Sequence, residues 1–176
     1  MRKTLKQPVP EQRSPSVESR VAIKHHPLHP IAVVYPIACL TLLLPADVLY
    51  LWSGDAFWAD VAWWLNVVGL VAGLFAAGLG ICDMFLIRVA RRHVSAWSHL
   101  IAGVMLLALA AMGVWLRWAD PESAGWWALL QSAPTAGMVV VVGWLGGTLS
   151  FGYGIGVYGH REREDARASA DRALDE

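Results

Sequence analysis

Imidazoles and carboxylates set in an apolar chain are the first places to look for chemistry. His25, His26 and His29 crowd the stretch "HHPLHPIAVVYP", while His99 and Asp83 each lie inside a long apolar run. Imidazole nitrogens ligate haem iron or a divalent metal, and a carboxylate either joins the ligand set or orients the ring that ligates. The elements that carry these residues decide whether they meet.

Those elements belong to a membrane. The 176 residues are 56% hydrophobic and 16% charged, with ten tryptophans, whereas a soluble domain carries about 25% charged residues. Four segments reach the roughly 20 apolar residues that a span requires: Ile31 to Trp52, Phe57 to Phe85, Val94 to Trp118, and Trp126 to about Tyr153. The expected fold is all-α, an integral membrane four-helix bundle over residues 25–158. A polar, largely disordered N-terminal tail (1–24) and a charged C-terminal tail (159–176) flank it. Residues 1–24 are too long and polar for a signal-peptide start, and no cleavage pattern follows the first apolar run. Pro36, Pro45 and Pro134 fall within spans and predict local bends.

Charge placement predicts the orientation. Six Lys/Arg precede the first span, Arg88, Arg91 and Arg92 lie in the 86–93 connection, and four arginines follow the fourth span. Arg117 alone lies towards the opposite end, where the connections carry Asp55, Asp60, Asp120 and Glu122 beside most of the tryptophans. Basic loops stay cytoplasmic and Trp favours the headgroup layer, so both termini are expected in the cytoplasm of a cell whose inner (plasma) membrane holds the protein. The charges track topology and give no basic stripe for nucleic acid. Cys39 and Cys82 lie in apolar runs without CxxC spacing, which argues against a disulfide framework or thiolate metal site.

With that topology all six histidines gather at the cytoplasmic end. In the third span His99 shares a face with Gly103, Leu106, Ala110, Gly113 and Arg117 at four- and three-residue steps. In the second span Gly69, Gly73, Ala76, Gly80 and Asp83 do the same. Small residues mark the packed side of a membrane helix, so His99, about 7 Å inside its helix start, and Asp83 both face inward. Asp83 and His99 are expected to interact, directly or through one water, and the structural alternative is that Asp83 simply hydrogen-bonds His99 or Arg88 and pins the helices together. Pro27 and Pro30 extend the residues before them, and Pro30 suits a first helical turn, which fixes His29 at the mouth of the bundle.

The segments "HPLHPIAVVYPIACL", "PADVLYLWSG", "GLVAGLFAAGLGICDMF", "HLIAGVMLLALAAMGVWLR" and "GWLGGTLSFGYGIGV" resemble the membrane family called domain of unknown function 2231, over roughly residues 25 to 158. The positions that carry the resemblance are His26, His29, Asp47, Asp83, His99, Arg117, Gly146 and Gly147. The resemblance implies a four-helix membrane domain whose relatives often occur joined to Rieske or c-type cytochrome modules, hence a redox setting. This chain has neither a Rieske motif nor CxxCH, so a redox centre would be non-covalent or belong to a partner.

Three functions are compatible with these residues. In the first, a redox-associated subunit binds b-type haem near its cytoplasmic face through His29 and His99, with His26 as a further candidate, Asp83 and Arg88 as polar support, and Gly73 and Gly103 leaving room for the macrocycle. In the second, a non-catalytic anchor or assembly subunit packs its small-residue stripes against another membrane protein or a second copy. In the third, His26, His29, Asp83 and His99 form a divalent metal site. The glycine-rich "GGTLSFGYGIGVYG" lacks the lysine of a phosphate loop. No arrangement of nucleophile and base suggests a hydrolase, and paired broken helices of a transporter are absent from the pattern.

Overall fold

A computed structural model of the protein describes residues 17–156. The charged C-terminal stretch, with His160, and residues 1–16 lie outside the described residues. Four helical segments within 17–156 are long and apolar enough to cross a membrane: Leu28–Ser53, Ala56–Leu86, Val94–Arg117 and Pro121–Gly152.

The first segment is two helices on nearly one axis, α1 (Leu28–Ala32) and α2 (Val34–Ser53). Val33 separates them because Pro36 has no N–H to give Ala32 and its ring crowds that carbonyl. The backbone bonds Val33 N–H to His29 and Ile37 N–H to Val33 carry the path through. Beyond Pro45 α2 continues without interruption and ends at Gly54, whose φ of 67° is the left-handed cap that glycine adopts without steric cost. Helix α3 (Ala56–Leu86) starts where the Asp55 carboxylate accepts from the Phe57 N–H. A 3-10 turn at Ala90–Arg92 leads to α4 (Val94–Arg117), and another at Pro121–Ala124 leads to α5 (Gly125–Gly147), which closes in a π turn at Thr148–Gly152.

Helix α2 packs on α3 and α5, and α4 also packs on α3 and α5, so α2 and α4 are diagonal partners across the bundle axis. The interior joins Leu40, Leu43, Ala46, Ala62, Leu106, Ala110 and Val139. Close approach rests on glycine: a Cβ on Gly69 would lie 2.7 Å from Leu40 Cδ2. The large side chains point outward, with Phe151 92% and Trp52 82% exposed, as expected where lipid rather than protein covers the apolar surface.

The polar stretch expected to be a tail through residue 24 contributes residues 17–24 to the fold. Val17 pairs with Ile155 and packs with Leu149 against Ile87 and Ala90. Strands β1 (Ala22–Ile23) and β2 (His26–Pro27) then form a small antiparallel hairpin, with Ile23 opposite His26. Its two-residue turn places Lys24 and His25 at φ 47° and 66°, the positive-φ pair of a type I′ connection. This strap runs from the end of the fourth segment to the end of α3 and hands the chain to α1.

Candidate functional site

His29 is the second residue of α1 and His99 the sixth of α4. Because α1 prolongs α2, the two rings approach along the diagonal of the bundle. Their centroids are 6.2 Å apart with planes at 83°. Each ring is held from a neighbouring helix: His29 Nδ1 lies 2.8 Å from the Ala76 carbonyl of α3, and His99 Nδ1 lies 3.2 Å from the Val142 carbonyl of α5. A carbonyl only accepts, so both Nδ1 atoms carry a proton, which in the neutral ring leaves the lone pair on Nε2. That arrangement is the outer-sphere support which ligating histidines use.

Two glycines seat the rings. A Cβ on Gly80 would fall 2.9 Å from the His29 ring, and one on Gly146 would fall 3.1 Å from His99 Cε1. Gly146 is among the positions that carry the family resemblance, whereas Gly80 entered the sequence reading only as part of the inward stripe. Gly73 does not open space for a macrocycle, since Leu107 occupies it and a Cβ there would lie 2.7 Å from Leu107 Cδ2. Gly103 has open space at its Cβ position.

Asp83 faces inward as its stripe predicts, but it does not pair with His99 or Arg88. Its Oδ2 accepts from the Ser19 hydroxyl at 2.5 Å, and its Oδ1 accepts from the backbone N–H groups of Arg20 at 2.7 Å and Val21 at 2.9 Å. Three donors on the strap satisfy the carboxylate more completely than one imidazole would. Arg88 is exposed, outside this cluster. His26 is exposed in the hairpin with Nδ1 on the Lys24 carbonyl, and His93 stacks at 4.9 Å on Tyr153. Among the described residues no three His, Cys, Asp or Glu side chains converge as a metal set would. The four-ligand divalent site of His26, His29, Asp83 and His99 is therefore not assembled.

A second polar centre lies inside the tryptophan-rich end, again along the diagonal. Arg117 Nη2 donates to Asp47 Oδ2 at 2.6 Å, with both side chains almost wholly buried. Its Nη1 donates to Gln131 Oε1 at 3.0 Å and to the Gly113 carbonyl at 3.1 Å. Gln131 Nε2 in turn reaches Thr135 Oγ1 and the Leu109 carbonyl. Asp47 and Arg117 are positions that the resemblance singles out. Gln131, Thr135 and Asn66 escaped the sequence reading, although each is a polar residue inside an apolar run, which is a signal in itself.

Comparison with known proteins gives one family. The family described as predicted membrane protein (DUF2231) matches residues 25–159. No curated protein and no solved structure matches the chain.

Proposed function

The chain belongs to that DUF2231 family of predicted membrane proteins, and we propose that it is a redox-associated membrane subunit whose His29 and His99 hold a b-type haem at the strapped end of the bundle. The observation that carries this reading is the diagonal imidazole pair at 6.2 Å. His29 and His99 would supply the two imidazole ligands, and their rings lie close enough across the diagonal to reach one metal. The donor chemistry agrees, because both Nδ1 protons are committed to backbone carbonyls and both Nε2 atoms remain for a metal. Two protein ligands alone suit haem iron, whose remaining four come from the porphyrin, better than a free divalent ion that needs at least four.

When bound, such a group supplies a one-electron carrier. The chain's own part is positional. The Ala76 and Val142 carbonyls fix the tautomer and aim of each ring, Gly80 and Gly146 let the rings lie against backbone, and the strap covers the polar mouth. The anchor reading has the outward apolar surface in its favour, but any membrane protein presents one.

The test is optical. Protein expressed with ample haem and purified in mild detergent should show a Soret band that His29→Ala and His99→Ala each abolish, while both variants still insert. His26→Ala should keep the band. Colourless wild-type protein would defeat the haem reading.

A further inference from the structure

Asn66 is fully buried in α3, and neither atom of its amide has a hydrogen-bond partner among the described residues. It lies ten residues, about 15 Å, along α3 from Ala56, where bulk water does not reach and an unpaired amide costs several kcal/mol. The amide is aimed at the polar centre: a Cβ on Gly113 would collide with Asn66 Nδ2 and would lie 2.6 Å from Gln131 Oε1. Asp47 stands on α2, Arg117 on α4, and Gln131 and Thr135 on α5. Asn66 is thus the α3 member of a cluster to which α3 contributes no bond.

We propose that a water molecule, held between the Asn66 amide and the Gln131–Arg117–Asp47 network, closes this cluster into a four-helix polar ring. Charge selects the ligand class. Asp47 and Arg117 neutralise each other at 2.6 Å, so the cluster calls for no ion. An amide with both a free donor and a free acceptor needs a partner that is both at once, which water is. Gln131 Oε1 accepts from Arg117 and keeps a second lone pair for it. Two to four polar partners of this kind are what internal waters use, and the absence of a side chain at Gly113 is what lets the Asn66 and Gln131 amides come near each other.

The experiment is a structure of the full chain in lipid at better than about 2 Å resolution. A density peak at about 2.6–3.2 Å from an Asn66 amide atom and from a second polar atom of the cluster supports the site. A direct amide bond to Gln131, or an amide with no neighbour at that distance, overturns it. Asn66→Leu gives an independent reading. With the water present, the apolar side chain breaks the ring and lowers Tm, by roughly 2–4 °C for a chain of this size. A Tm that rises instead, because an unpaired amide has been removed, overturns the proposal.

Discussion

Two contacts on the bundle diagonal, the half-buried imidazole pair and the buried Asp47–Arg117 pair, carry most of what is specific to this molecule at the residue scale. The ion pair of Asp47 and Arg117 has its charges out of water and survives because the guanidinium also reaches Gln131 and the Gly113 carbonyl. Removing one partner leaves the other charged and unpaired in a low dielectric. Arg117→Met is expected to cost about 3–5 kcal/mol, and the double change Asp47→Leu with Arg117→Met to recover most of it, since apolar replacement of a whole pair is often neutral. Thermal unfolding in detergent compares the two. A double variant as unstable as the single one would show that the carboxylate has little to do with the loss.

The strap is the element with the clearest division of labour. Its apolar hold is Val17 against Ile87, Ala90 and Leu149, and its polar hold is Asp83 with three donors. A carboxylate accepts all three as charge-assisted bonds, which are roughly twice as strong as neutral ones. Asp83→Asn is therefore expected to loosen residues 17–24 and to speed trypsin cleavage after Arg20 and Lys24 at least tenfold, a gain that needs about 1.4 kcal/mol. The exposed Asp60→Asn serves as a control and should leave the rate unchanged. Equal rates for both variants would assign the hold to the apolar contacts alone.

The same element marks where sequence reading ran out. The spans were legible because hydropathy over 20 residues is a sum, and the inward faces of α3 and α4 followed from the spacing of Gly, Ala, His99 and Asp83. That spacing fixes a direction, not a partner. The donors that claim Asp83 sit more than 60 residues away in a polar stretch without periodicity, so nothing local announced them. Asn66 and Gln131 were passed over for a related reason: a single polar residue barely alters a hydropathy sum, while its meaning depends on what three other helices place beside it. His29 and His99 were recoverable because proline chemistry fixed one and a small-residue face aimed the other.

At the scale of the whole molecule, the two ends of the bundle differ in chemistry as well as in charge. One end carries the imidazole pair, the strap and Arg88, Arg91 and Arg92; the other carries Asp55, Asp60, Asp120 and Glu122. Trp63 and Trp118 meet edge to face there at 6.0 Å, with Trp52, Trp126 and Trp127 exposed around them, as suits rings at headgroup level. Among the described residues the one arginine at that end, Arg117, is buried against Asp47, so it offers no positive charge to the membrane surface. The basic end should therefore remain in the cytoplasm, by the bias that retains Lys and Arg during insertion. In a background with Cys39 and Cys82 replaced, an impermeant thiol reagent applied to intact cells should label a cysteine placed at Ser53 or Ser123 and miss one placed at Ser16. Labelling at position 16 with protection at 123 would invert the molecule and put the imidazole pair on the outer side.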